Sequence, residues 1–267
     1  MLRITSRQND RIKLAAKLRD RSGRDEAGLL LVEGYREVRR ALDNGIRPLS
    51  LYFCPELFQG SNEPALISLC GERGADLMEC TEPVFRKLAY RDRPDGLILI
   101  VPKLERRLEH LTLPPDPLVL VAEHLEKPGN LGTLLRSADA AGVHGVIVCD
   151  RCTDIHNPNV VRSSIGTLFS LPVVEAESAE AIHWLKQKGL RVAAATPHAN
   201  VDYTDVDLTG PLAIVVGSEQ LGLSSQWMDP AGLQLRIPMR GQCDSLNVAA
   251  AATILLFEAV RQRRLKK

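Results

Sequence analysis

Hydrophobicity along the second half of the chain comes in short unbroken runs separated by amphipathic stretches. Leu118 to Ala122, Gly145 to Cys149 and Leu212 to Val216 are apolar at successive positions, the pattern of strands covered on both faces, and Leu190 to Ala195 and Leu233 to Ile237, interrupted by Arg191, Gln234 and Arg236, also read as strands. Pro172-Val173-Val174 reads as a shorter strand. Helices are predicted over Leu131 to Ala141, near Val160 to Phe169, over Ala179 to Lys188, and from Ser245 to the basic C-terminal residues. Such alternation predicts an α/β domain with a mostly parallel sheet and helices on both faces. The first hundred residues repeat the theme on a smaller scale. Strands are expected at Leu29 to Glu33, Leu49 to Cys54, Asp76 to Cys80 and Leu97 to Val101, and helices at Tyr35 to Asn44, Glu63 to Arg73 and Pro83 to Lys87. Pro102 to Asp116, charged and then proline-rich at Pro114-Pro115, suits a linker. The expected organisation is a small N-terminal α/β domain over 1–103, a linker over 104–116 and a C-terminal domain over 117–267.

The final helix carries the sharpest signal. Val248 to Phe257 is almost wholly apolar, so burial around most of the circumference is expected, yet Asp244, Ser245 and Asn247 crowd its start. Polar groups at the mouth of a buried helix are costly unless something binds there. Two other apolar strands run into polar loops: Leu212 to Val216 into Gly217, Ser218, Glu219 and Gly222, and Leu118 to Ala122 into Glu126 to Gly142. In an open parallel sheet, loops beyond the carboxyl ends of strands are where ligands sit.

Composition narrows the class. With 267 residues, 45% of them hydrophobic and 25% charged, two ordinary globular domains are expected. No apolar run approaches the ~20 residues of a membrane span, and MLRITSRQNDR lacks the apolar core of a signal peptide, so a cytoplasmic protein is expected. A net charge of +1 decides nothing about nucleic acid, but the first 24 residues hold eight Lys or Arg against Asp10 and Asp20. Arg7, Arg11, Leu14 and Leu18 predict a helix with an apolar stripe and basic flanks. Arg7, Arg11 and Lys13 are therefore candidates for phosphate contact, with a solvated helix face as the equal alternative. Arg261, Arg263, Arg264, Lys266 and Lys267 form a basic tail. Six cysteines are too sparse for a disulfide framework. Cys149-x-x-Cys152 with His156 has zinc-like spacing but no second pair, so no metal is expected. Neither the Gly-x-Gly-x-x-Gly turn of a dinucleotide fold nor a P-loop is present.

Three motifs then occur in order: Asn130-x-Gly132 with Arg136, Gly217-Ser218-Glu219 with Gly222, and Ile237-Pro238-Met239 with Ser245-Leu246-Asn247. Together, over about Pro117 to Arg263, they resemble the signatures of the SpoU/TrmH-type RNA 2′-O-ribose methyltransferases of the SPOUT class. One departure is Ala249, where the family commonly has Ser after the Val. The N-terminal half resembles the family's substrate-binding domain, a unit like an RNA-binding ribosomal protein, chiefly through a strand, Glu33-Gly34 and a helix.

The resemblance implies a deep trefoil knot, with the last helix threaded through a loop, which composition alone would never suggest. It also implies S-adenosylmethionine as cofactor, structured RNA (ribosomal or transfer) as substrate, and a homodimer whose site is completed across a two-fold interface. Gly217, Ile237, Met239 and Leu246 are the expected cofactor contacts, with Thr196 at a further strand end; core packing is the alternative for each. In such enzymes the arginine at Arg136 deprotonates the 2′-hydroxyl with help from substrate phosphate. Its chemistry alone favours a phosphate clamp, and an ion pair with Glu219 competes. Arg136 is expected to face a core or cleft rather than open water. Asn130 is expected to cap its helix and position substrate, Glu219 to fix Arg136 or its own loop, and Ser245 and Asn247 to bond the cofactor carboxylate or the ribose, Ser245 doubling as a simple N-cap. Arg162, in the Asn157 to Ser164 stretch, is a further candidate for RNA phosphate. Two other readings compete: a knotted RNA-binding module without catalysis, and a SPOUT enzyme methylating a base nitrogen.

Overall fold

The computed structural model describes residues 1–150, 153–229 and 231–266. In chain order the elements are β1 (Leu2–Ile4), α1 (Asp10–Lys17), α2 (Arg21–Ala27), β2 (Leu29–Glu33), α3 (Tyr35–Asp43), β3 (Ser50–Phe53), α4 (Glu63–Glu72), β4 (Asp76–Cys80), α5 (Glu82–Leu88) and β5 (Leu97–Pro102). They continue as β6 (Leu118–Glu123), α6 (Pro128–Ala140), β7 (Gly145–Cys149), α7 (Pro158–Ser163), α8 (Thr167–Ser170), β8 (Val173–Ala176), α9 (Ser178–Gln187), β9 (Arg191–Ala195), β10 (Leu212–Val216), α10 (Ser225–Met228), β11 (Leu233–Leu235) and α11 (Val248–Leu265). The chain divides into two compact units, one of residues 1–105 with 154–170, the other of 106–153 with 171–267. Residues 154–170, read from the sequence as part of the C-terminal domain, pack with the first unit.

That unit is built on a five-stranded sheet in the order β1-β4-β3-β5-β2, parallel from β1 to β3 and antiparallel at β5 and β2. One core gathers Ile12, Ala15 and Leu18 of the first helical segment with Tyr52, Met78, Phe85 and Ile98. The buried stripe of α1 is thus Ile12 and Ala15, while Leu14, expected to point inward, is exposed. Residues 154–170 are tied in by charge as well as packing. Arg24, only 1% exposed, donates from Nη1 to the carbonyls of Leu18 and Arg19 and from Nη2 to Asp154 Oδ2 at 2.5 Å. Arg40 Nη1 donates to the Ile165 carbonyl at 2.6 Å, and Asn159 Nδ2 to the Tyr90 hydroxyl at 2.8 Å. The single helix expected near 160–169 is two short ones, because Ile165 and Gly166 both take positive φ, 52° and 74°.

The second unit has a six-stranded sheet in the order β11-β9-β10-β6-β7-β8, every pair parallel, flanked by helices. On one face Val119, Val121, Ile147, Ala213 and Val215 pack with Trp184, Leu185 and Trp227. α11 packs along α6 and onto β10. Its buried positions, Val248, Ala249, Ala252, Leu255, Leu256 and Ala259, follow i, i+3, i+4, i+7 spacing. The helix is therefore covered on one side, not around most of its circumference as its composition suggested; Phe257 is 46% exposed. Among the described residues, no helix is long and apolar enough to cross a membrane.

Candidate active site

Three strand ends of the second unit, those of β6, β10 and β11, lead into the polar loops. β10 runs into a tight loop in which Ser218 and Gly222 exchange backbone hydrogen bonds of 3.1 Å and the Leu221 N–H donates to Ser218 Oγ at 3.0 Å. At Gly217 a Cβ would collide with the Gly222 carbonyl, so no other residue fits there. The far side of this loop is moored by Glu123, the fully buried last residue of β6, whose carboxylate accepts the Ser224 N–H at 2.8 Å and its hydroxyl at 2.5 Å.

So held, the loop presents Glu219 to two helix starts. Glu219 Oε1 accepts from Asn130 Nδ2 at 3.0 Å and from Asn247 Nδ2 at 2.6 Å, while Oε2 takes the Lys127 ammonium at 2.6 Å. Asn247 Nδ2 also lies 3.2 Å from Asn130 Oδ1. Lys127, helped by the two amides, holds the Glu219 carboxyl below the usual carboxylate range. One residue from each of the three motifs thus meets in a single hydrogen-bonded cluster. Lys127 and Glu123 were not anticipated; an unpaired Lys just before Asn130 and a carboxylate closing an apolar strand were the available hints.

Several expectations are corrected. Asn130 does not cap α6: Lys127 is the N-cap, Pro128 the first helical residue, and Asn130 sits in the first turn with its amide free for Glu219. Ser245 does not cap α11 either. Asn247 does, its Oδ1 accepting from Ala249 N at 3.1 Å and Ala250 N at 3.4 Å, while exposed Ser245 touches Asp244 at 3.4 Å. Arg136 is exposed rather than turned to a core, because the apolar side of α6 is taken by Leu131, Leu134, Leu135 and Ala138. No ion pair joins it to Glu219, whose charge is met by Lys127. Six residues past Asn130, it projects about 120° around the helix from that amide.

A cavity of about 310 Å³ opens beyond β9 and β11, lined by Pro197, Asp202, Asp244 and the run from Arg236 to Arg240. Ile237 and Met239 line it, and Thr196, whose N–H donates to the Leu235 carbonyl at 3.0 Å, immediately precedes Pro197. Gly217 and Leu246 are not among its lining residues. Arg236 is pinned by Asp202 at 2.7 Å, and its N–H by the Val201 carbonyl at 3.0 Å. From Ile237 to Leu246 no backbone group bonds another described residue, so this loop offers N–H and C=O groups to a ligand alongside apolar walls.

The remaining candidates lie in the first unit. Arg7 Nε donates to the Pro83 carbonyl at 3.0 Å, Arg11 pairs with Asp76 at 3.1 Å and Lys13 with Asp10 at 3.2 Å, all exposed and weakly held. Arg162 is exposed at the end of α7. Of the zinc-like set, Cys152 lies outside the described residues, as does Lys267 of the basic tail. Burial pushes the Cys149 thiol up and lowers His156 to about 4. Among the described residues, the group close enough to share an ion is Glu123, His124 and Asp150, which includes neither.

Comparison with known proteins identifies the family. Residues 117–257 match the SpoU rRNA Methylase family and residues 9–99 the MRM3-like substrate binding domain. The chain is 35% identical to the 23S rRNA (uridine(2479)-2′-O)-methyltransferase of Streptomyces viridochromogenes, over 98% of this chain and 92% of that one. A crystal structure of an RNA 2′-O ribose methyltransferase superposes with a TM-score of 0.88 at 44% identity, covering 99% of this chain and all of that one. The AdoMet-bound rRNA methyltransferase of Sinorhizobium meliloti does so with a TM-score of 0.88 at 32% identity, covering 97% of each. The sequence and its fold together make this chain a member of the SpoU rRNA methylase family.

Proposed function

We propose that the protein transfers a methyl group from S-adenosylmethionine to a ribose 2′-hydroxyl of RNA, ribosomal RNA foremost. The observation that carries this is the cluster of Asn130, Glu219 and Asn247, one residue from each motif, assembled where the parallel strands end. S-adenosylmethionine supplies an electrophilic methyl, so the chain has to align it and manage the proton of a poor nucleophile. Ile237 and Met239 give apolar walls for an adenine, the unbonded backbone from Ile237 onward gives hydrogen bonds, and Asp202, Asp244 and Arg240 give charge for the polar tail. Thr196, Gly217 and Leu246 belong to the same cofactor set, with Gly217 shaping the loop rather than lining the cavity.

Arg136 is assigned to the 2′-hydroxyl and its phosphate. Its exposure, on a side of α6 turned from the Asn130 cluster, suits a residue that serves a site completed by a second copy. A homodimer is part of this reading, supported by Ala250, Ile254 and Phe257, an incompletely covered apolar row on α11. So is the threading of α11 through the knot. Ser245 stands by the substrate or cofactor, and Arg7, Arg11, Lys13 and Arg162 meet RNA phosphates; the protein works in the cytoplasm. The test is Arg136→Ala, which should abolish methyl transfer while leaving S-adenosylmethionine affinity within a few fold by calorimetry. Unchanged turnover would remove Arg136 from the reaction.

A further inference from the structure

The first unit holds a cavity of about 480 Å³ at the start of α3, formed with the loop before α4, the turn before β5 and α7. We infer that it takes one unstacked nucleotide of the substrate RNA, its base edge donating to Glu63 and Asp95 and its phosphates held by Arg36 and Arg162. This rests on the methyltransferase reading above.

The interior is mostly acceptors, with Arg91 the one guanidinium among them, its buried Nε also without a partner among the described residues. Glu63 is 4% exposed; its Oε1 accepts the N–H groups of Gln59 at 3.2 Å and Gly60 at 2.9 Å, and its Oε2 has no partner among the described residues. Asp95 Oδ2 accepts the Tyr35 N–H at 3.0 Å, and its buried Oδ1 is likewise unpartnered. Arg91 donates from Nη2 to the Glu33 carbonyl at 2.8 Å and to Glu37 at 2.6 Å, and its Nη1 lies 3.5 Å from Asp95 Oδ2, so among the described residues Glu63 is the carboxylate left without a cation. Buried carboxylate oxygens left without donors are rare in native proteins and ask for a ligand that brings hydrogens.

The rim is cationic. Arg36 and Arg162 both line the cavity, are exposed, and form no ion pair with any described residue. Arg36 stands in the first turn of α3, where the macrodipole disfavours a lone cation and an anion relieves it. Tyr35 adds an aromatic wall for a base to lie on. Acceptors inside and cations outside describe a nucleotide better than a bare phosphate, which the carboxylates would repel. Among the described residues they form no group of three or more metal ligands. The volume suits a single small ligand, and RNA is read chiefly through bases freed from the stack. An amino group on the base is what the acceptors select; uracil, with carbonyls on both sides of its one N–H, is the poorest fit.

The experiment uses the full chain in two arms. Guanosine and uridine 5′-monophosphates are titrated while the Gln59 and Gly60 amides are followed by NMR, and methyl transfer is measured on an unmodified 23S rRNA transcript. Guanosine monophosphate should shift both amides and uridine monophosphate should not. Glu63→Gln, which places a donor where an acceptor stood, should erase that preference. Arg36→Ala with Arg162→Ala, a surface change, should raise KM for RNA at least tenfold with kcat within twofold. The inference is overturned if the two nucleotides behave alike in the wild type, or if the double variant keeps KM within twofold. If the wild type methylates no ribose yet guanosine monophosphate still shifts these amides, the pocket stands and the methyltransferase reading falls.

Discussion

Glu219 depends on the residues that surround it. Its folded carboxyl lies below the ordinary range because Lys127, Asn130 and Asn247 all donate to the anion. The cluster's contribution to stability is therefore complete above the ordinary carboxylate range and is lost as pH falls through the lowered value. Lys127→Ala should move the Glu219 midpoint upward, followed through its carboxyl carbon by NMR; an unmoved midpoint would mean that the ammonium is not its partner in solution. Asn247 does two jobs with one amide, capping α11 with its oxygen and holding Glu219 with its nitrogen. Asn247→Ala should lower stability by about 0.5–2 kcal/mol through the lost cap. Asn247→Asp should keep most of the cap but repel Glu219, so that methyl transfer falls further than the urea midpoint does. The motif residues were readable because each combines an unusual polar type with a strand end. Lys127 was not, since only the fold brings a residue of the β6–α6 loop to a carboxylate 92 positions away.

At the scale of elements, unbroken apolar runs located β6, β7 and β10, the central strands of the second unit's sheet, because a strand covered on both faces has no polar positions to confuse with a helix. β1 was missed: three residues at the N-terminus carry too little pattern, and their pairing with β4 spans more than seventy positions. The break between α7 and α8 was missed because Ile165 in a left-handed conformation is a tertiary effect, stabilised by the Arg40 bond to its carbonyl. Composition overstated the burial of α11, since an apolar helix reads the same whether its outer side meets its own chain or is left open. That outer side makes a prediction: Phe257→Asp should convert the proposed homodimer to a monomer in sedimentation, with the fold retained by circular dichroism; a wild type that is already monomeric would contradict the dimer. The segment 154–170 makes another. Arg24→Ala leaves Asp154 buried without its cation, a loss of about 3–5 kcal/mol expected in chemical denaturation. A change below 1 kcal/mol would mean that packing alone holds this segment to the first unit.

For the whole molecule, the order of strands and helices gave no sign that the second half of the sequence returns residues 154–170 to the first unit. That return places Arg162, first read as part of the catalytic half, with Arg36 at the rim of the first unit's cavity. In the proposed nucleotide pocket, RNA recognition draws on both halves of the sequence. The claim on which all this rests is the chemistry at the ribose. RNA incubated with the protein and S-adenosylmethionine labelled in its methyl group, then digested with alkali, tests it most directly. The label should be recovered in alkali-resistant dinucleotides, where a 2′-O-methyl group blocks cleavage; label released in mononucleotides, or none transferred at all, would contradict it.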